Sequence, residues 1–274
     1  QIHAWEGVRV VRLALAPRPW REPLDAAVER LCQWWLPQEA FRLIHAHCLQ
    51  MLSASPLRVA RQLGVPYVVT LHDGWWLSPR QFLITATGAP VDPADPLSHY
   101  DHPQAQPFEQ LQRDRDRRRC LLDLLAAATA RWAVSAAFAR LHEQAGLQAV
   151  EVMPNRWQPM PSALPRQRRP AHMPLRAAFV GGMSLHKGWA VLQAALLQAS
   201  LGDPGLSLTV VDASLEADSG YSLRWGETPV VVVPGIPMEA MAAFYANHDL
   251  LLAPSIWPES YGLVTREALS AGLW

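Results

Sequence analysis

Short apolar segments that suit buried strands alternate with helical patterns along the chain. Residues 66–71 and 176–180 are two such strands, and each is followed by a loop and then a helical stretch. This alternation predicts parallel sheets with helices on both faces. A stretch with six prolines, at residues 154–174, divides the alternation into two blocks. The chain is therefore predicted to be an α/β protein with two Rossmann-like, doubly wound lobes and a cleft between them.

The predicted domains are a first lobe at residues 1–155, a proline-rich linker at 156–174 and a second lobe at 175–274. Strands are predicted at 8–13, 43–47, 66–71, 130–134, 150–153, 176–180, 206–211, 229–233 and 250–253. Helices are predicted at 24–35, 54–63, 108–128, 136–144, 188–200 and 238–247, with a further helix that begins near Gly262. Ligands of such sheets bind beyond the carboxyl ends of the strands, which points to the cleft.

Composition excludes several classes of function. Lysine plus arginine equal aspartate plus glutamate at 24 each, so no net positive charge favours nucleic acid as a partner. The three cysteines are far apart and form no CxxC pair, so neither a zinc site nor a disulfide framework is indicated. No signal peptide or membrane span is evident, which predicts a cytoplasmic protein.

Two glutamates near the end of the sequence, Glu259 and Glu267, lie on either side of a predicted helix start. Tyr261 and Gly262 form the turn, and the apolar residues 250–253 before it suit a buried strand. A helix N-terminus offers free N–H groups and a positive dipole end, which suits a phosphate. Carboxylates on both sides suit hydroxyl groups, so this layout favours a nucleotide sugar. The alternative is a capping Glu259 and a solvated Glu267.

The second lobe begins with a strand that runs into Gly181 and Gly182, followed by Lys187 and Gly188. Glycines let the backbone approach a ligand closely, and Lys187, the only lysine of the chain, can place its charge on a diphosphate. The GxxxxGK[ST] spacing of a phosphate-binding P-loop is absent. The alternative is an ordinary strand-to-helix turn with an exposed lysine.

His72 and Asp73 directly follow the predicted buried strand at 66–71, where cleft residues lie. His72 could hydrogen-bond a sugar with Asp73 orienting it, and Trp75 and Trp76 could stack on a sugar face. The alternative is that these residues only close the end of the lobe.

Two further motifs are open to a structural interpretation. His45 and His47 share one face of a strand, but no third metal ligand is evident, so we interpret them as structural. The run at residues 113–119, with five arginines, suits a solvated helix start. Its alternative is a contact with acidic lipid headgroups or with a lipid-phosphate acceptor, at the inner face of a membrane.

Together these segments resemble the retaining glycosyltransferases of the GT-B fold that form the large family four. Residues 254–272 resemble the E-x7-E signature of that family, and residues 179–188 resemble its donor-diphosphate loop. Residues 70–73 resemble its first-lobe histidine motif, and residues 133–136 and 152–155 resemble the pattern before its linker. The resemblance covers most of the chain in the right order.

The resemblance implies catalytic roles for Glu259, His72 and Lys187. Glu259 would hold hydroxyl groups of the donor sugar, His72 would contact that sugar from the opposite lobe, and Lys187 would bind the diphosphate. The implied donor-binding residues are Gly181, Gly182, Lys187, Ser260, Tyr261, Gly262, Leu263 and, at the ribose, Glu267. No cofactor or metal is expected, because a lysine and a helix end carry the diphosphate charge.

The implied reaction is transfer of a hexose from a nucleotide-diphosphate sugar to a saccharide or lipid-linked acceptor, with retention, in bacterial glycan or glycolipid synthesis. Three departures from the family matter. Gly182 stands where members often carry an arginine, and Asn155 is followed by Arg156 where glycine is common. The sequence also lacks the family's opening strand and its closing elements, which predicts a fold incomplete at both ends. A nucleotide-sugar epimerase and a non-catalytic fragment are the rival hypotheses, and the E-x7-E layout argues against the epimerase.

Overall fold

A computed structural model of the protein describes residues 2–15, 21–157, 159, 169–199 and 205–274. The helices and strands of the first part are β1 (Ile2–Trp5), β2 (Val8–Val11), α1 (Ala26–Trp35), β3 (Ile44–Ala46), α2 (Ser55–Gln62), β4 (Tyr67–Leu71), α3 (Phe108–Ala126), β5 (Ala130–Ala133), α4 (Ala136–Gln144) and β6 (Val150–Val152). Those of the second part are β7 (Leu175–Val180), α5 (Trp189–Gln198), β8 (Leu206–Asp212), β9 (Tyr221–Trp225), β10 (Thr228–Pro234), α6 (Met241–Ala246), β11 (Leu250–Leu251) and α7 (Leu263–Ser270).

The first lobe is built on a four-stranded parallel sheet with the order β3-β4-β5-β6. All five residues of β4 are buried, as its continuous apolar sequence predicts for a strand covered on both faces. Helices α2, α3 and α4 supply the layers that cover it, through side chains such as Leu57, Leu121 and Phe138, each at most 1% exposed. The Tyr67 hydroxyl in β4 donates to the Leu124 carbonyl of α3 over 2.6 Å, which links strand to helix.

The second lobe has a five-stranded sheet with the order β11-β7-β8-β10-β9. Four strands are parallel, and β9 pairs antiparallel with β10 at one edge. Ala177, Phe179, Leu208 and Val210 form the centre of its core, on the adjacent strands β7 and β8. The confirmed fold is thus α/β with two lobes of largely parallel sheets.

The structure differs from the sequence predictions in four strands, the first of which is β1, a strand that was not predicted. The strand predicted at 8–13 ends at Val11 and pairs only with β1, in a hairpin separate from the four-stranded sheet. Strand β9 was not predicted, because a tight antiparallel return after Trp225 leaves no helix to mark it. The buried strand predicted at 250–253 is only Leu250–Leu251, half-buried, because it forms the edge of the sheet.

The last strand of the first sheet ends at Val152, and the first strand of the second sheet begins at Leu175. The predicted linker lies between them. Residues 158 and 160–168 of that linker lie outside the described residues, so the domain boundaries stay a prediction. The lobes meet where the Phe82 ring stacks on His186, with ring centroids 3.7 Å apart, and meets Trp257 edge-on at 5.1 Å. No helix within the described ranges is both long and apolar enough to cross a bilayer.

Candidate functional site

A cavity of about 320 Å³ lies between the lobes, at the carboxyl ends of the strands. Its second-lobe walls come from Phe179 and Val180 at the end of β7, from Lys187, and from the loop and first turn of α7. His72 and Asn155 close it from the first lobe. The structure therefore brings together His72, Lys187 and Glu259, the three residues to which the resemblance gives catalytic roles.

Lys187 and Glu259 form the central ion pair of this cavity. The Lys187 Nζ atom lies 3.2 and 3.1 Å from the two carboxylate oxygens of Glu259. The Ser255 hydroxyl and the Trp257 indole N–H each donate to Oε2 of Glu259 over 3.0 Å. Both charged side chains keep part of their surface accessible, at 23% for Lys187 and 32% for Glu259. The carboxylate is thus held in place from three sides and remains open to a ligand.

Sequence reasoning missed Ser255 and Trp257 as partners of Glu259. Their positions, four and two residues before it in the same loop, were a usable signal, since hydroxyl and indole donors near a carboxylate often pair with it. Lys187 also lies 5.9 Å from the centre of the Trp257 ring, within reach of a cation–π attraction. Trp257 therefore contacts both members of the ion pair.

The turn before α5 depends on glycine. Gly188 has φ of +75°, and an added Cβ would lie 1.9 Å from the Pro254 carbonyl oxygen. Gly182 has φ of +72°, and its Cβ would meet Oδ1 of Asp212 at 3.1 Å. Gly181 packs against the methylenes of the Lys187 side chain. Gly181 and Gly182 do not line the cavity; they shape the loop that presents Lys187, and their direct contact with a donor stays a prediction.

The N-terminus of α7 opens into the cavity. Gly262 adopts the left-handed conformation, with φ of +70°, and no side chain of the described residues caps the helix. Residues 260–265 line the cavity, so Ser260, Tyr261, Gly262 and Leu263 lie where they were predicted. The first N–H groups of an α-helix have no intrahelical acceptor, and the helix dipole adds positive potential there. Backbone donors and one ammonium group thus face the same space.

Glu267 lies on α7 but outside the residues that line the cavity. Its Oε2 atom accepts a hydrogen bond from the Tyr245 hydroxyl over 3.3 Å. Burial, followed by the nearby Glu267 carboxylate, raises the pKa of Tyr245. Tyr245 therefore stays protonated and holds the carboxylate on the α6 side, and the ribose contact of Glu267 stays a prediction.

His72 reaches the cavity from the end of β4 and belongs to a cluster of three histidines whose rings are tilted against one another. The His47 Nδ1 and His72 Nε2 atoms lie 2.8 Å apart, and the His45 and His47 ring centroids are 4.0 Å apart. Burial lowers the pKa of all three, and His45 adds electrostatic repulsion at His47 and His72. His45 and His47 do share one face, as predicted, and sequence reasoning missed that His47 contacts His72.

Asp73 and the tryptophans after it have structural roles. The Asp73 carboxylate accepts hydrogen bonds from the Trp75 backbone N–H and from the Gln81 and Gln50 amides, not from His72. Trp75 is fully buried and Trp76 is 3% exposed, so neither can stack on a sugar. The sugar-stacking hypothesis was wrong, because the turn after β4 folds both rings into the core.

The predicted solvated helix start at residues 113–119 was also wrong in part. Asp114, Arg117 and Arg118 are buried, while Arg113, Arg115 and Arg119 are exposed. Arg117 lies over the Trp75 ring and donates to the Trp75 carbonyl, which explains its burial.

Within the described part of the chain, no group of three or more potential ligands converges on a metal position. The expectation that the site works without metal stays a prediction.

The family of the chain is shown by a match to its first lobe. Residues 2–156, more than half of the chain, match the family model described as the glycosyl transferase 4-like domain. The protein therefore belongs to that glycosyltransferase family, and the predicted GT-B fold is confirmed. No curated protein sequence matches the chain.

Solved structures support the same fold. The lipopolysaccharide outer core galactosyltransferase WaaB in its apo form aligns with a TM-score of 0.50 and 13% identity, over 90% of this chain and 59% of that chain. The UDP-forming α,α-trehalose-phosphate synthase from Burkholderia vietnamiensis aligns with a TM-score of 0.57 and 13% identity, over 90% of this chain and 61% of that chain. The corresponding synthase from Burkholderia xenovorans, in complex with glucose-6-phosphate, aligns with a TM-score of 0.57 and 13% identity, over 92% of this chain and 60% of that chain. The chain thus spans about three fifths of the length of these structures, and the likeness concerns the fold alone.

Proposed function

We propose that the protein transfers a hexose from a nucleotide-diphosphate sugar to an acceptor, with retention at the anomeric carbon. The observation that carries this proposal is the Lys187–Glu259 ion pair beside the uncapped N-terminus of α7, in one interlobe cavity. Such an arrangement offers a cation and backbone donors to a diphosphate, and a fixed carboxylate to the attached sugar.

The phosphate end of the donor would take the charge of Lys187. As the bond from the anomeric carbon to the phosphate oxygen breaks, its electron pair stays on the departing diphosphate. The Lys187 ammonium and the α7 N–H groups stabilise that developing charge, and stabilisation of this kind is usually the largest catalytic contribution. The acceptor hydroxyl oxygen forms the new bond to the carbon, and its proton passes to the oxygen of the departing diphosphate that has taken the electron pair.

The sugar end of the donor would lie against Glu259. Ser255 and Trp257 both donate to Oε2 and fix the carboxylate, so Oε1 can accept a sugar hydroxyl after Lys187 turns to the diphosphate. His72 contacts the same sugar from the first lobe. Glu267 holds the ribose once the hydrogen bond from the Tyr245 hydroxyl to its carboxylate is broken. Retention and these residue roles rest on the family resemblance.

The similar structures support the donor and product classes. One is a galactosyltransferase of the lipopolysaccharide outer core, and the others are UDP-forming. A saccharide or lipid-linked acceptor, a role in bacterial glycan or glycolipid synthesis, and a cytoplasmic location with peripheral membrane contact are part of the proposal. No cofactor is included in it.

The test replaces Glu259 with an isosteric amide. Glu259→Gln is expected to lower turnover of UDP, GDP or ADP sugars by at least 100-fold, because the neutral amide loses the charge that polarises donor hydroxyls. Glu239→Gln, at an exposed position on the second lobe, is the matched control and should keep full turnover. Near-normal turnover of Glu259→Gln would contradict the proposal, and epimerised donor as the product would favour the epimerase.

A second variant tests the diphosphate contact. Lys187→Ala is expected to weaken binding of the matching nucleoside diphosphate at least tenfold in calorimetry, because a charge-assisted contact is removed. Arg140→Ala, an exposed arginine on the first lobe, should bind as the unaltered protein does. Unchanged affinity of Lys187→Ala would show that the loop before α5 does not bind the diphosphate.

A further inference from the structure

A second cavity, of about 710 Å³, lies in the first lobe against the C-terminal half of α3. It is lined by Pro96, Arg115, Arg118, Arg119, Leu122, Asp123, Ala126, Arg131, Gly146, Leu147 and Gln148. We call it the arginine cavity. Arg131 stands at the start of β5 and residues 146–148 come just before β6, so the cavity lies at the amino ends of the strands. His72 follows the opposite end of β4, and a five-residue strand separates the two edges by roughly 16 Å.

Positive charge dominates this arginine cavity. Four of its lining residues are arginines, and Asp123 is its single carboxylate. Asp123 already pairs with Arg61, a residue outside the lining, over 2.6 Å. The whole chain has equal numbers of acidic and basic residues, so the excess of positive charge is a local property of this cavity.

The two inner arginines are held rigidly by backbone carbonyl groups. Arg131 donates through Nη1 to the carbonyls of Leu125, Ala126 and Ala128, at 3.1 to 3.2 Å, at the end of α3. Arg118 is only 7% exposed and donates through Nη2 to the Pro93 and Ala145 carbonyls. Carbonyl groups orient a guanidinium without neutralising its charge. Both groups therefore stay positive and preorganised at the cavity wall.

The two outer arginines are free to move toward a ligand. Arg115 is exposed, and its side chain has no hydrogen-bond or ion-pair partner among the residues that the structure describes. Arg119 is also exposed, with a side chain 80% accessible, and pairs only with Asp116 on the next turn. Exposed pairs of this kind contribute little, so a stronger anion would displace Asp116.

Guanidinium groups that converge on one space suit phosphate. Their planar forks match the oxygens of a phosphate, and the apolar walls from Leu122, Ala126 and Leu147 reduce competition from water. We propose that the arginine cavity binds a phosphate group, carried either by a soluble phosphate compound or by a lipid headgroup. Arg118 and Arg131 form the fixed floor of this site, and Arg115 and Arg119 close over the anion.

The experiment uses pyrophosphate as the probe and weakens the cleft as a competing site. The Lys187→Ala variant serves as the background, because Lys187 would also bind pyrophosphate. Calorimetric titration of Lys187→Ala with pyrophosphate is compared with the same titration after Arg115→Gln and Arg119→Gln are added. The additional pair is expected to weaken binding at least tenfold. Adding Arg113→Gln, an exposed arginine of the same helix outside the cavity lining, should leave the affinity unchanged.

Vesicles distinguish the two sources of phosphate. Phosphatidylcholine vesicles with and without phosphatidic acid are sedimented with the unaltered protein and with Arg115→Gln/Arg119→Gln. Binding to phosphatidic acid that this double variant loses, and Arg113→Gln keeps, identifies a lipid headgroup. Pyrophosphate binding alone, with the same dependence on Arg115 and Arg119, identifies a soluble compound. Absence of both kinds of binding, or binding that the double variant retains, would overturn the proposal. Glycosyl transfer is measured separately and does not decide this result.

Discussion

At the scale of single residues, the cluster of His45, His47 and His72 sets the charge that the first lobe presents to the cavity. A hydrogen bond between two imidazole nitrogens needs an N–H on one ring and a lone pair on the other, so His47 and His72 cannot both be fully protonated. Burial lowers the pKa of each ring, and repulsion from neighbouring histidines lowers it further at His47 and His72, which keeps the cluster neutral near pH 7. A neutral His72 can donate to or accept from a sugar hydroxyl without binding the diphosphate.

His45 provides a test of this neutral state. Its repulsion lowers the pKa of His72, so His45→Gln should raise that pKa while keeping a hydrogen-bonding side chain toward Thr70. Neutral His72 exists only above its pKa, so the acidic fall in kcat/KM should move to higher pH, by up to about one unit. His102→Gln, at an exposed position, is the control. An unshifted pH profile for His45→Gln would show that His72 does not titrate in the catalytic step.

His142 on α4 makes a separate prediction about stability. It is fully buried, its Nδ1–H donates to the Phe138 carbonyl, and its Nε2 has no partner among the described residues. Burial lowers the pKa of His142 to about 4. The unfolded chain takes up a proton near pH 6.5 and the folded chain does not. This contribution to stability is therefore complete above about pH 6.5 and falls as the pH drops toward 4.

The size of the effect follows from the two pKa values. Between pH 8 and pH 5, His142 should reduce the free energy of unfolding by about 2 kcal/mol. His142→Leu, which removes the titrating group, should lack this part of the pH dependence in urea unfolding. His102→Leu should keep it, since His102 is exposed. Equal pH dependence in all three proteins would mean that His142 takes up its proton at the same pH in the folded and the unfolded chain.

At the scale of elements, the turn between β7 and α5 connects the donor loop to the segment that carries Glu259. The Gly188 Cα lies so close to the Pro254 carbonyl that no side chain fits between them. The Ile256 N–H also donates to the His186 carbonyl over 3.1 Å. These two contacts set the spacing between the Lys187 and Glu259 segments, so the ion pair depends on backbone packing as well as on charge.

Gly188→Ala should break this spacing. Gly64, at the end of α2, is the matched control, because it has φ of +69° and open space around its added Cβ. Gly64→Ala should cost about 1 kcal/mol of unfolding free energy, the price of a left-handed alanine. Gly188→Ala should cost about 1–3 kcal/mol more, because of the clash with Pro254, and should also weaken donor binding. Equal losses of stability would show that the turn can shift without strain.

At the scale of the whole molecule, the sequence predicts the parallel core better than its edges. The apolar runs of β4 and β7 identify central strands, since only strands covered on both faces tolerate them. Strand β9 and the β1–β2 hairpin were missed in whole or in part, because exposed residues such as Tyr221 and Trp5 carry no burial pattern. For the site, spacing and resemblance located Lys187 and Glu259, whereas the His47–His72 contact depends on the register between β3 and β4.

The contact between the lobes could not be predicted from either block alone. Phe82, in the loop after β4, lies between His186 and Trp257 of the second lobe. His186 is next to Lys187 in sequence, and Trp257 donates to Glu259. The same aromatic cluster therefore joins the two lobes and supports both members of the ion pair. Burial, followed by repulsion from Lys187, lowers the pKa of His186, so the cluster is uncharged near pH 7.

Removing the Phe82 ring should therefore change catalysis without unfolding either lobe. Each lobe keeps its own core in Phe82→Ala, but the loss of the two ring contacts, worth about 0.5–1.5 kcal/mol each, lets the lobes separate more often. We expect kcat to fall about tenfold and the KM for the donor to rise, with far-ultraviolet circular dichroism unchanged. Phe82→Tyr keeps an aromatic ring and should restore most of the activity. If Phe82→Ala were as active as the unaltered protein, the aromatic cluster would be a packing contact with no influence on the donor site.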